Sequence, residues 1–264
     1  MNFDTTISKI ERLADDIYLL RLQSEKISEQ AVPGQFVNIR CSTGLDAYLR
    51  RPISICKVDQ DHHTFDIVYM NRGRGTNLLC SLSEGDTLDA MGPLGKGFTL
   101  PQKGEKIAVV GGGIGIFPLL FLLRESQCAE KTAFLGFRTK QAIVLGEEFE
   151  KASSKLVIAT DDGSDGINGL ITAPFQKWLE QARPDRVYTC GPEPMMNIVG
   201  GLCVDKGIFC EVSMEQRMGC GIGACLVCAC KVNDADDYHY AHVCKDGPVF
   251  PAERVIRGKR PGSM

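Results

Sequence analysis

The sequence predicts an antiparallel β-barrel, then an α/β domain built on a doubly wound parallel sheet, then a small cysteine-rich C-terminal module. Three observations carry this reading. Through about residue 100, short runs alternate apolar and polar residues, with turn signals between them and no long helical pattern. From Lys106 onward, continuous apolar strands alternate with helix-length segments. Four of the twelve cysteines then crowd into "MGCGIGACLVCAC", Met218 to Cys230. The divisions are placed at residues 1–102, 103–208 and 209–264; 264 residues suit two domains with a small appendage.

In the first region "DIYLLRLQS", "GQFVNIRCS", "TFDIVYMN" and "DTLDAMGPLG" read as strands, punctuated by Pro33-Gly34, Gly73, Gly75 and Gly85. "LPQKGEK" is a polar connector. "KIAVVGG", "KTAFLGFR", "KLVIATDD" and "DRVYTCG" are the strands of the second region. "GIFPLLFLLRESQ", "LITAPFQKWLEQAR" and "PEPMMNIVGGLCVDKG" are its helices.

Composition excludes several classes. The chain is 44% apolar and 24% charged, which is globular and not disordered. Thirty Lys+Arg against thirty-three Asp+Glu give a net charge of −3, so neither nucleic acid nor an anionic membrane is an expected partner. The N-terminal "MNFDTTISKIERLADD" is polar and reads as no secretory signal. The apolar run from Ile107 contains four glycines and a proline and stops at Arg124, which fits strand, loop and helix better than a membrane span. A cytoplasmic location is expected, where clustered thiols point to metal or redox chemistry.

Four short motifs carry chemistry. "VVGGGIGIFP" joins a strand to a helix, where glycines let the backbone approach a phosphate at the helix N-terminus; tight packing alone is the other explanation. "TCGPEPMM" sits at a strand's C-terminal end, where open α/β sheets bind ligands, or is a strand stopped by Gly-Pro. In "RRPISI", Arg51 can grip a pyrophosphate and Ser54 can hydrogen-bond a flavin edge. In "YMNRGRGTNLL", Thr76 is expected to open a helix, as an N-cap or beneath a phosphate.

Cys220, Cys225 and Cys228 make C-x4-C-x2-C, the plant-type [2Fe–2S] spacing with a distant fourth thiolate. The small residues of "GIGA" let the loop wrap a cluster closely. Zinc sites more often use two C-x2-4-C knuckles, and one is present here, so zinc is the lesser alternative and disulfides the least. Cys230 is taken as a spare or buried thiol.

Read together, "RPIS", "GRGT", "GGGIGIFP" and "CGPEPMM" resemble the ferredoxin-reductase superfamily. That family's flavin motif carries a tyrosine two residues after the arginine, and Ile53 stands in that place. One branch shares the departure. With "MEQRMGCGIGACLVCACKV" and "HVCKDGPVF", the chain resembles the electron-transfer subunits of class 1B dihydroorotate dehydrogenases over nearly its full length.

The resemblance implies an electron relay in pyrimidine biosynthesis. FAD would be held by Arg51, Pro52, Ile53 and Ser54, by the strand end Val68, Tyr69 and Met70, and by Gly75 and Thr76. NAD would lie between Gly111, Gly112, Gly113 and Gly115 and the turn Cys190, Gly191 and Pro192. Cys244 would join Cys220, Cys225 and Cys228 as the fourth [2Fe–2S] ligand. The implied partner is an FMN-containing dihydroorotate dehydrogenase catalytic subunit, in a heterotetramer of two of each. Hydride transfer needs no acid–base residue. Arg138 and Lys140 in "GFRTK" keep NADP open, as in subunits of ferredoxin-dependent NADPH transhydrogenases or sulfide dehydrogenases. A non-enzymatic zinc-knob regulatory subunit is the alternative of another class.

Overall fold

A computed structural model describes residues 2–42, 44, 46–234 and 237–256. The basic tail beyond Ile256 lies outside the described residues. Six antiparallel strands close into a barrel: β1 (Asn2–Ala14), β2 (Ile17–Gln23), β3 (Phe36–Ile39), β4 (Arg51–Asp59), β5 (Thr64–Met70) and β6 (Thr87–Leu94), in the order β1-β2-β5-β4-β3-β6. Two short helices interrupt it, α1 (Glu25–Gln30) and α2 (Arg74–Leu79). Leu20, Leu22, Val37, Ile39, Ile55 and Ile67 alternate along their strands and fill the barrel interior.

The second sheet is formed by β7 (Lys106–Gly112), β8 (Glu130–Phe137), β9 (Lys155–Thr160), β10 (Ile167–Asn168), β11 (Arg186–Cys190), β12 (Phe209–Ser213) and, after the cysteine region, β15 (Val249–Pro251). Its order is β10-β9-β8-β7-β11-β12-β15, parallel throughout except for β15. Helices α3 (Ile116–Glu125) and α4 (Gly146–Ala152) cover one face, while α5 (Thr172–Leu179) and α6 (Glu193–Asp205) cover the other. This is the expected doubly wound arrangement, with one antiparallel edge strand added. Residue 209, the expected start of the third region, begins β12 of this sheet. A division there separates α6 from the strand it connects to.

Between β12 and β15 lie the thiol loop and a two-stranded sheet of β13 (Ala229–Asn233) and β14 (Tyr238–His242); α7 (Ala252–Val255) follows. This module packs on the barrel: Phe36 of β3 shares a core with Cys228, Val243, Cys244 and Phe250. The apolar run from Ile107 resolves into β7, a turn at Gly113–Gly115 and α3. Among the described residues no helix is long and apolar enough to cross a membrane.

Candidate functional site

Three groups of residues converge along the seam between barrel, sheet and thiol loop. At the barrel end, Arg51 opens β4 and its guanidinium lies across Gly75 of α2. A Cβ at Gly75 would stand 2.8 Å from Arg51 Cζ, so the two segments touch only because residue 75 has no side chain. The Arg51 guanidinium also donates to the Leu49 carbonyl.

Thr76 does not open the helix as expected. Gly73 is the N-cap, and Thr76 sits within the first turn, its Oγ1 accepting from the backbone N–H groups of Arg72 (3.0 Å) and Gly73 (3.2 Å). The helix starts earlier because this hydroxyl reaches back to satisfy the entering backbone. Pro52 and Ser54 are half-buried, whereas Ile53 is buried in the barrel core. Tyr69 is buried there too, stacked on Tyr18 with ring centroids 5.7 Å apart and its hydroxyl 3.5 Å from the Cys80 sulfur. Val68 points the opposite way, into the core shared with α3. Of the expected flavin residues, Ile53, Val68 and Tyr69 therefore have side chains committed to packing.

Met70 and Ile114 pack on that same core, which brings the end of β5 to the Gly113–Gly115 turn. The turn after β7 lies against the turn after β11. A Cβ at Gly115 would fall 2.5 Å from Gly191 Cα and 2.6 Å from the Cys190 carbonyl oxygen, so only glycine permits the contact. Burial pushes the Cys190 thiol up to about 12. Gly111 and Gly112 end β7, and Pro192 caps α6. Thus Gly113, Gly115, Cys190, Gly191 and Pro192 meet at the C-terminal edge of the parallel strands, with Gly111 and Gly112 buried beneath them against Ile116, Leu119, Pro192 and Met195. Nearby, Lys140 Nζ lies 3.3 Å from an Asp165 carboxylate oxygen.

The thiols form two pairs. Cys220 and Cys225 exchange backbone N–H to sulfur contacts, 3.3 Å to Cys225 Sγ and 3.4 Å to Cys220 Sγ. Cys244 N–H reaches Cys228 Sγ at 3.5 Å, and Gly223 N–H reaches Cys244 Sγ at 3.0 Å. Ile222 and Ala224 also donate to Cys220 Sγ, at 3.4 and 3.2 Å. Desolvation pushes Cys220 upward, but the N–H groups of Ile222, Cys225 and Ala224, with the Cys225 thiol, outweigh it and bring the thiol down to about 6. Desolvation and the neighbouring Cys228 push Cys244 up to about 12. Cys225 is exposed; Cys228 and Cys244 are buried.

A two-iron cluster needs two thiolates on each iron and N–H donors toward its sulfurs, and this loop offers both. Among the described residues, no three Cys, His, Asp or Glu side chains meet as a single ion requires. Cys230 faces the module's core on β13, its thiol raised by burial.

Sequence reasoning missed Asn38. It is fully buried on β3, with Pro52 and Met91 as cross-strand neighbours, and neither of its side-chain polar atoms has a hydrogen-bond partner. Its only signal in the sequence is an amide within the strand "GQFVNIRCS".

Barrel, nucleotide-type sheet and thiol loop define a flavin- and iron–sulfur-dependent oxidoreductase subunit of ferredoxin-reductase architecture. Residues 4–98 match the oxidoreductase FAD-binding domain family. Residues 215–256 match the iron–sulfur cluster binding domain of dihydroorotate dehydrogenase B. The chain is 38% identical over 257 residues to the dihydroorotate dehydrogenase B (NAD(+)) electron transfer subunit of Desulforamulus reducens, covering 96% of this chain and 98% of that protein. The protein of the same name from Geobacillus sp. strain WCH70 is 39% identical over 257 residues, covering 95% and 97%. A solved structure of an NADH-dependent reduced ferredoxin-NADP oxidoreductase, studied for flavin-based electron bifurcation, superposes with a TM-score of 0.82. It is 30% identical, and the match covers 95% of this chain and 89% of that one. A ferredoxin reductase of carbazole 1,9a-dioxygenase shares the fold, with a TM-score of 0.66, 21% identity, and 79% and 66% coverage. This chain belongs to the family of dihydroorotate dehydrogenase B electron transfer subunits.

Proposed function

We propose that this chain carries electrons from dihydroorotate oxidation, performed in an FMN-containing partner subunit, to NAD. The observation that carries the reading is the pairing of the four thiols on the same side of the barrel as the flavin-motif strand β4. A [2Fe–2S] cluster moves electrons singly and a flavin gathers them into the pair that nicotinamide accepts.

The roles of the residues follow from their placement. Cys220, Cys225, Cys228 and Cys244 hold the cluster, with Ile222, Ala224 and Gly223 N–H groups offsetting its negative charge. Arg51, placed over Gly75, anchors the flavin pyrophosphate with Thr76 beside it on α2, and the half-buried Pro52 and Ser54 line its ring. Ile53, Val68 and Tyr69 contribute backbone only. The Gly111–Gly115 turn and the Cys190–Pro192 turn bring glycine backbone at Gly113, Gly115 and Gly191 to the edge of the sheet, where the dinucleotide lies. Asp165 beside Lys140 offsets one of the two charges that a 2′-phosphate would seek there, while Arg138 stays exposed, so NADP belongs to the second reading.

Exposed Cys225, ringed by exposed Ile222, Leu226 and Val227, marks the face that the partner covers. The assembly we infer is a cytoplasmic heterotetramer of two of each subunit. The 30% identity to the ferredoxin-NADP oxidoreductase favours a transhydrogenase-type subunit as the second reading.

The test is to purify the chain with its co-purifying partner and assay dihydroorotate-dependent NAD reduction. The chain alone is expected to oxidise NADH with artificial acceptors and to leave dihydroorotate untouched. Dihydroorotate oxidation without a partner sinks the assignment, and preferential flavin reduction by NADPH moves it to the second reading.

A further inference from the structure

Along β3, Val37 and Ile39 enter the barrel core, so by the two-residue period Phe36 and Asn38 face outward. That outer face is where the thiol module sits, since Phe36 packs with Cys228 and Cys244. The cross-strand partners of Phe36 and Asn38 on β4 are Ser54 and Pro52 of the flavin motif. Asn38 thus lies at the border between the strand assigned to the flavin and the loop assigned to the cluster.

Its carboxamide is sealed there. Both Nδ2 and Oδ1 are buried and unpartnered, a condition native proteins rarely keep without a purpose. The amide is directed at Gly221, the residue after Cys220: a Cβ at Gly221 would fall 2.6 Å from Asn38 Nδ2. Gly221 has φ +76°, so the loop is shaped to pass directly over this amide. On the loop side, Cys220 Sγ already collects the N–H groups of Ile222, Ala224 and Cys225. On the barrel side, among the described residues, the Asn38 amide lies opposite with both N–H groups of its Nδ2 unpartnered. A thiolate-ligated iron–sulfur cluster is rich in acceptor sulfur and lacks donors of its own, which complements that group.

We propose that Asn38 is a positioning residue for the cluster, donating its amide N–H from the barrel to a sulfur of the Cys220 side. The proposal rests on the reading that Cys220, Cys225, Cys228 and Cys244 hold an iron–sulfur cluster. A donor at this point stabilises the reduced, more negative cluster and so raises its potential. It also makes the cluster's potential depend on the barrel strand next to the flavin motif.

The test uses the holoprotein labelled with 15N in asparagine only, its cluster reduced and studied by pulsed electron paramagnetic resonance. A 15N hyperfine coupling from one asparagine is expected in the wild type and is expected to vanish in Asn38→Leu. That variant should keep its iron, shift the cluster midpoint to more negative potential and leave the flavin midpoint in place. Thermal unfolding of the cluster-free variant should be no lower than wild type, because a purely structural amide would be missed there and an unpartnered one would not.

A reduced-cluster signal without 15N coupling in the wild type overturns the proposal, and this measurement needs no variant to fold. An unchanged midpoint in iron-loaded Asn38→Leu overturns it as well. Absence of any reduced-cluster signal in the wild type would instead remove the ligand assignment, and the proposal with it.

Discussion

Gly115 and Cys225 show how much a single position controls. With Gly191 Cα 2.5 Å from where a Cβ would stand, alanine at position 115 must push the two turns apart. Gly115→Ala is expected to raise KM for NADH by about tenfold, roughly 1.4 kcal/mol, while iron and flavin content stay at wild-type levels. An unchanged KM would remove this surface from the dinucleotide site. Cys225→Ser should bleach the cluster's visible absorption and leave flavin bound; full iron content in that variant refutes the ligand assignment. The cysteine spacing was legible because three of the proposed ligands lie in one local loop. Asn38 was not, because its meaning comes from Gly221, which the chain reaches only after building the barrel and most of the sheet. Likewise "RPIS" marked strand β4 but not the burial of Ile53, since period two alone does not say which face of a strand a barrel closes over.

Helix α3 is the element on which the two larger domains depend jointly. "IFPLLFLL" is apolar all round, as a helix buried on every side must be. Phe117, Leu119 and Leu120 pack in the core beneath the sheet, whereas Phe121 belongs to the barrel's own core with Ile55 and Phe65. Phe121→Ala should therefore cost about 3–5 kcal/mol and lower the unfolding of barrel and sheet together. Two separate transitions in calorimetry, with only one shifted, would count against that coupling. The helix was readable from its length and its place after a glycine turn. Strand β1 was not, because "NFDTTISKIERLA" is largely polar and exposed; it is held by pairing with β2 on one side and β6 on the other. Helices α1 and α4 were unread for a related reason, being too short to show a period.

Across the whole molecule, the connector leaving the barrel is clasped to the sheet. Thr99 gives its backbone N–H and its hydroxyl to Glu211 of β12, at 2.9 and 2.8 Å, and its carbonyl accepts from the Tyr188 hydroxyl at 2.8 Å. Burial raises the Glu211 carboxyl above the ordinary carboxylate value, against the lowering effect of the Thr99 hydrogen bonds and Arg186. A carboxyl with a higher pKa folded than unfolded contributes stability while protonated. That contribution is whole below the ordinary carboxylate pKa and is lost as pH rises through the raised value. Wild type should consequently lose stability relative to Glu211→Gln as pH increases from 4 to 8. Equal differences in Tm at both ends of that range would refute it.

The thiol module also begins and ends on adjacent strands of one sheet, with Ser213 opposite Val249 across the β12–β15 ladder. Paired strands run about 5 Å apart. Viewed this way the module is an overgrown β-hairpin loop, inserted between two neighbouring strands and not hung from the end of the chain. Loop growth of this kind costs little entropy. The sheet can accept or lose the electron-carrying insert while both stumps stay in register, so a short turn from Ser213 to Val249 would reclose it.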